Sequence, residues 1–237
     1  MEKEQLAAYQ AQTKSVTGRY FYAEVKAQLD HHMPAGKRVL DFGSGLGITA
    51  DVLASDLAVT AYEPDADLRA HAVHQHDYQT IGGDWAAFKQ WLTAQAPFDL
   101  ILCHNVLEYV PNPSEVAAFL GTHLADGGRL SIIKQNRAGR VLNAAIGQDD
   151  VDQAQAVLDG SLADSPFFGT IHYYSNADLQ VWLLGTNTKR LAKLGIRNFY
   201  GFHEQPYTDE ALQLELAVCT EPAYRAVAYY NHIIVGK

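Results

Sequence analysis

Asp41, Gly43, Gly45, Gly47 and Glu63 stand in "RVLDFGSGLGITADVLA" (38–54) and "AVTAYE" (58–63), and their types and spacing suit a ligand. Glycines let a backbone turn sharply and let a ligand lie against it. An acid closing the next apolar run, about twenty residues on, is placed to accept two ribose hydroxyl protons. The spacing is G-x-G-x-G, whereas a dinucleotide fingerprint has G-x-G-x-x-G and faces its pyrophosphate with a helix N-terminus. Asp41 would be a poor neighbour for pyrophosphate and a good one for an ammonium group. The loop therefore predicts a nucleoside whose far end carries an amino acid, as in S-adenosylmethionine.

The surrounding sequence must position these groups. Apolar runs at Arg38–Phe42, Ala58–Glu63, Tyr78–Gly82, Phe98–His104 and Arg129–Gln135 read as strands. Their near-continuous Val/Ile/Leu character predicts burial on both faces, as in parallel sheets. Helical patterns near 47–55, 66–75, 85–94 and 113–124 alternate with them, which predicts a doubly wound α/β sheet. Asn112 is the expected cap of the last, ahead of Pro113, and "DGG" (126–128) the turn that ends it. A helix over "SNADLQVWLLGT", capped by Ser175 or Asn176, precedes a strand in "TKRLAKLGIRNFYGFHE", a helix around 208–219, and strand character in "YRAVAYYNHIIVGK". The late strands are expected as an antiparallel edge. One domain over 1–237 is the simplest organisation, with residues 1–35 as a cap and 136–174 as a helical insertion or lid.

The residues "VLDFGSGLG", "AYEP" and "FDLILCHNVLEYV" resemble the class I S-adenosylmethionine-dependent methyltransferases. More narrowly, "LILCHNVLEYVPNPSEV", "LSIIKQNRAGRVLNAA" and "LAKLGIRNFYGFHE" are similar to the bacterial branch that methylates carboxymethoxyuridine at tRNA wobble positions. The resemblance implies a Rossmann-like, seven-stranded, mostly parallel sheet with the last strand antiparallel, and S-adenosylmethionine in its crevice. It implies that Gly43, Ser44 and Gly45 line the methionine moiety, that Glu63 binds the ribose, and that Gly83 and Asp84 flank the adenine. His104 would lie beside the sulfonium end. Arg19, in "VTGRYFY", is the nearest candidate for the arginine that meets the cofactor carboxylate. Two departures stand out. The branch has a basic insertion where this chain has "GQDDVDQAQAVLDGSLADSP", and a His-Asp pair where Tyr200 and Gly201 stand here.

Methyl transfer is an in-line displacement, so the protein mainly aligns the partners and excludes water. The acceptor-side candidates are His104, Asn105, His172, Tyr173, Arg197, Tyr200 and His203; His104, Arg197 and Tyr200 are the expected catalytic set. Arg197 suits a carboxylate acceptor, since guanidinium binds one by two parallel bonds. Against these, His104 could be a hydrogen-bonded core histidine, Arg197 a strand-face ion pair, and the aromatics of "RNFYGF" and "YRAVAYYN" strand packing. His71, His74 and His76 do not share a helix face, and no metal is expected. His31 and His32 read as a helix end.

A net charge of −9 makes the average surface repel nucleic acid, so an RNA partner needs a local basic patch. Cys103 and Cys219 follow no metal spacing, and no run approaches the ~20 apolar residues of a membrane span. A cytoplasmic protein is expected, acting on tRNA or on a small molecule. A nicotinamide-dependent oxidoreductase and a non-catalytic module that binds S-adenosylmethionine are the readings from other classes.

Overall fold

The structure, a computed structural model, describes residues 2–161, 164–199 and 206–237. Two helices, α1 (Lys3–Lys14) and α2 (Val16–His31), precede the sheet, with Ser15 capping α2 through the Gly18 N–H. Strands β1 (Arg38–Phe42), β2 (Ala58–Tyr62), β3 (Gln79–Ile81), β4 (Phe98–His104) and β5 (Leu124–Gln135) then alternate with α3 (Ile48–Leu53), α4 (Ala66–Ala70), α5 (Trp85–Thr93) and α6 (Pro113–Thr122). The insertion holds α7 (Arg137–Leu142), a π-turn (Asn143–Gly147), α8 (Val151–Asp159) and a small hairpin of β6 (Asp164–Ser165) and β7 (Gly169–Thr170). The chain continues through α9 (Asn176–Trp182), β8 (Lys189–Ile196), α10 (Asp209–Val218), α11 (Pro222–Val227) and β9 (Tyr230–Gly236).

The seven-stranded sheet has the order β3-β2-β1-β4-β5-β9-β8. β1 to β5 are parallel, and β9 pairs antiparallel with both β5 and β8. The last strand is thus antiparallel, as the resemblance implies, but it lies inside the sheet and β8 forms the edge. Successive strand residues face opposite sides. Leu40, Phe42, Ile101 and Cys103 accordingly join Phe88, Leu92 and Leu120 on one face. Val39, Leu100 and Leu102 join Val25 and Leu29 of α2 on the other. Each fully buried Leu or Val contributes roughly 1.5–3 kcal/mol, so these two layers hold the strand ends that carry the site.

Several local expectations are corrected. Asn112 makes no side-chain cap bond; Pro113, which lacks an N–H, opens α6 without one. "DGG" lies within β5, where the pairing with β4 shifts register between Phe98 and Leu100 and Gly127 takes a positive φ of 76°. Ser175 caps α9 in a reciprocal box with Asp178. The start of the closing segment is the helix α11, and the insertion carries a hairpin as well as helices.

Candidate active site

Strand order reverses between β1 and β4, and ligands of open α/β sheets bind beyond the carboxyl ends of strands at such a point. A cleft of about 1750 Å³ opens there. It exceeds the ~300–1,000 Å³ of a typical single-ligand pocket, which leaves space for a cofactor and an acceptor side by side.

At one end Gly43 and Gly45 adopt φ of 76° and 56°. A Cβ on Gly43 would stand 2.5 Å from Val106 Cγ2, and one on Gly45 3.2 Å from the Tyr9 hydroxyl. Glu63 fixes the loop, accepting from the Gly45 N–H at 2.8 Å and from the Asp65 N–H at 2.9 Å. Burial raises the Glu63 carboxyl, and those two N–H groups oppose the rise. Asp41 is buried at the tip of β1; burial first, then the Glu63 charge, push its carboxyl up to about 7. A buried acid whose neighbours include another acid is matched by a ligand ammonium. The Glu63 oxygens keep lone pairs for ribose hydroxyls. The loop therefore fits the methionine and ribose parts of S-adenosylmethionine, which Asp41 and Glu63 would hold.

His104 lines the cleft and heads a polar chain into the sheet. Its Nε2 lies 2.8 Å from Ser131 Oγ, which lies 2.7 Å from His232 Nε2. His232 Nδ1 lies 2.7 Å from Gln28 Oε1, and Gln28 Nε2 donates to the Gly195 carbonyl at 2.9 Å. With the amide oriented this way, His232 donates from Nδ1 and accepts at Nε2 from Ser131. His104 is then the Nε2–H tautomer and keeps its lone pair on Nδ1. Burial lowers its imidazole to about 3, so it stays neutral. The hydrogen-bonded core histidine is what the structure shows, and the residue also lines the cleft.

Two arginines also line the cleft, Arg197 after β8 and Arg140 on α7. Arg197 follows β8 in the left-handed region at φ 58°, and its guanidinium lies over the Tyr229 ring at 4.4 Å. Its N–H donates to both Glu24 oxygens, at 3.2 and 3.1 Å. Glu215 accepts from the Asn198 and Phe199 N–H groups at 2.7 and 2.8 Å. Two buried carboxyl groups thus bind three consecutive N–H groups and set the turn. Burial raises Glu24 well above the usual range, the Glu215 charge adds to the rise, and Arg197 opposes it. Arg140 of α7 donates to the Tyr173 hydroxyl at 2.9 Å. Tyr9, Tyr109, Phe167 and Phe168 close the roof, with ring centroids 5.1 Å apart for Tyr9–Phe168 and 5.6 Å for Tyr109–Phe168.

Asp41, Gly43, Ser44, Gly45, Glu63, His104, Asn105 and Arg197 all line the cleft. Arg19 does not: it is exposed, with its guanidinium 4.6 Å from the Tyr207 ring centre. Helical periodicity explains this, since Gly18, Phe21 and Tyr22 share the inward face of α2 and residue 19 turns away. Gly83 and Asp84 are not among the residues that line the cleft, although Tyr62 and Trp85 are; the Gly83 carbonyl accepts from the Tyr62 hydroxyl and Asp84 caps α5. His172 is exposed and outside the cleft, and Tyr173 acts on it through Arg140. Tyr200 and His203 lie outside the described residues. Among the described residues no group of three or more His, Cys, Asp or Glu could hold a metal. Tyr9, Phe168, Arg140 and the Glu24–Glu215 pair were missed from sequence. Arg140 stands within "NRAGRVLNAA", which carried a signal; the others meet only through long-range packing.

Residues 12–191 match the family described as methyltransferase domain. The chain is 28% identical over 221 residues to the tRNA 5-carboxymethoxyuridine methyltransferase of Escherichia coli (strain K12), covering 86% of this chain and 81% of that one. It is 30% identical over 188 residues to the ubiquinone biosynthesis O-methyltransferase of Nitrosococcus oceani, covering 76% and 72%. Among solved structures, a S-adenosylmethionine-dependent methyltransferase of Thermotoga maritima, a possible histamine N-methyltransferase, superposes with a TM-score of 0.62 at 14% identity, covering 97% and 94%. Magnesium protoporphyrin IX methyltransferase from Synechocystis PCC 6803, with S-adenosylhomocysteine bound, gives 0.57 at 14%, covering 94% and 84%. These likenesses displace the oxidoreductase and the non-catalytic module. The chain belongs to the methyltransferase-domain family and is a class I S-adenosylmethionine-dependent methyltransferase.

Proposed function

We propose that the enzyme methylates a carboxylate oxygen carried by a planar ring. The observation that supports this reading is that Arg197, after β8, and Arg140, on α7, both line the cleft, on elements that stand apart in the fold from the glycine loop after β1. Guanidinium binds a carboxylate through parallel charge-assisted bonds. The roof of Tyr9, Tyr109 and Phe168 offers faces and edges for a ring. S-adenosylmethionine, when bound, supplies a methyl group already activated by its sulfonium. The protein's part is to hold the acceptor oxygen in line and to exclude water.

A carboxylate is ionised near pH 7 and needs no base. This suits His104, which stays neutral, donates to Ser131 and is too weakly basic to take a proton at that pH. A phenol or amine acceptor would call for a base that His104 does not provide. Carboxymethoxyuridine combines a ring with a carboxylate, and the Escherichia coli relative is named for acting on it. The tRNA nucleoside is therefore the acceptor we put first, and a free aromatic carboxylate is the alternative.

Purified protein with methyl-labelled S-adenosylmethionine and a cell extract split into RNA and small-molecule fractions tests this. Label in RNA supports the nucleoside; label confined to small molecules supports the free acid. Label in neither fraction, from an extract of cells lacking the enzyme, contradicts both.

A further inference from the structure

We infer that a second cavity, behind the edge strand β8 and separate from the active cleft, binds a phosphate group. The cavity has a volume of about 940 Å³, and its walls include His31 and His32 from the end of α2, Arg190 and Lys193 from β8, and Arg225 from α11. No aspartate or glutamate lines it. In a chain with 27 acidic and 18 basic residues, chance does not favour such a wall. Among the described residues Arg190, Lys193 and Arg225 take part in no salt bridge. Lys193 is half-buried, and its ammonium is disfavoured by burial first and then by the charges of Arg225 and Arg190. His32 is likewise held down by burial, His31 and Arg129.

Edge strands often carry lysine to deter pairing with other sheets. That accounts for Lys189 and Arg190 but not for Arg225, which arrives at the same hollow from α11. Three basic side chains around one space, two of them permanently charged arginines, exceed what a single carboxylate neutralises. A phosphate monoester carries more charge, roughly −1.5 to −2, with three acceptor oxygens, and successive diesters of an RNA backbone bring one negative charge each. Arginine and lysine are the side chains that bind phosphate.

Lys193 stands four residues before Arg197, roughly 13 Å along the strand at ~3.3 Å per residue. The phosphate could therefore belong to the backbone of an RNA whose reactive nucleotide enters the cleft, or to a free phosphorylated molecule. The inference holds for either source and does not depend on which acceptor is methylated.

The test titrates the full chain with inorganic pyrophosphate and with a short fluorescein-labelled single-stranded RNA. The R190E/K193E double variant is titrated beside it, and S-adenosylhomocysteine affinity is measured in every sample. Saturable binding is expected, weakened about tenfold or more in the double variant, with S-adenosylhomocysteine affinity unchanged. RNA displaced by pyrophosphate, with a log–log salt slope of about −2 for three phosphate contacts, assigns the site to an RNA backbone. Pyrophosphate binding without RNA binding assigns it to a small phosphorylated ligand. The milder R190Q variant, at an exposed position, gives a smaller loss in the same direction and covers a folding defect in the double variant. Failure of both probes to bind, or equal binding by the variants, overturns the inference.

Discussion

Asp41, as the proposed partner of the cofactor's ammonium group, is expected to tie cofactor affinity to pH. Its carboxyl rises in the folded chain from the ordinary 3.8 to about 7, through burial and the Glu63 charge. The folded protein therefore holds a proton that the unfolded chain releases between about pH 4 and 7, and stability without ligand falls as pH rises across that window. An ammonium beside Asp41 favours the ionised form. S-adenosylhomocysteine affinity is then expected to rise with pH up to about 7, by at most about tenfold per unit, and to level off above it. Calorimetric titration from pH 5.5 to 8 checks this, with D41N giving weaker binding and a flatter profile. Asp41 and Glu63 were legible in the sequence because strand ends and glycine spacing are local. Arg19 was misplaced because the phase of α2, set by Ser15, decides which residues face inward.

The turn after β8 depends on elements far apart in the chain. Glu24 of α2 and Glu215 of α10 bind the N–H groups of residues 197–199 and so aim Arg197. Removing the Glu215 carboxylate leaves buried donors unpaired, so E215A is expected to cost about 3 kcal/mol. For a chain of this size that lowers the melting temperature by roughly 6–12 °C. E215Q, which keeps one acceptor, should lose less; equal stability of both variants and the parent would contradict the cradle. The roof makes a different prediction. Phe168 meets Tyr9 and Tyr109 and is itself 39% exposed. F168A should speed S-adenosylhomocysteine release in stopped-flow measurements while changing the melting temperature little. The strands β1 and β4 have the bounds their apolar runs predict, because a strand buried on both faces announces itself. The hairpin at 164–170 and the place of β9 inside the sheet were not legible. Their partners lie far away in sequence: Gln5 donates to the Phe167 carbonyl across 162 positions.

At the scale of the molecule, net charge and local charge diverge. The chain carries −9 overall, yet two arginines line the active cleft and a basic hollow lies behind β8. Composition alone argued against nucleic acid; three-dimensional placement returns the possibility by gathering cations from β8 and α11. The acidic insertion contributes Arg140 to the cleft from its own start, so its overall charge says little about the acceptor. The claim that joins these scales is that the methyl group goes to a carboxylate. Methyl esters are cleaved by mild alkali, releasing methanol, whereas methyl ethers and N-methyl groups survive it. The decisive measurement is therefore the volatility of the transferred label after mild alkaline treatment of the reaction products. Release of the label as volatile methanol, with transfer greatly reduced in R197A and only partly restored in R197K, is the predicted result. Label that stays on the product through alkali would contradict the account and move the acceptor to a hydroxyl or an amine.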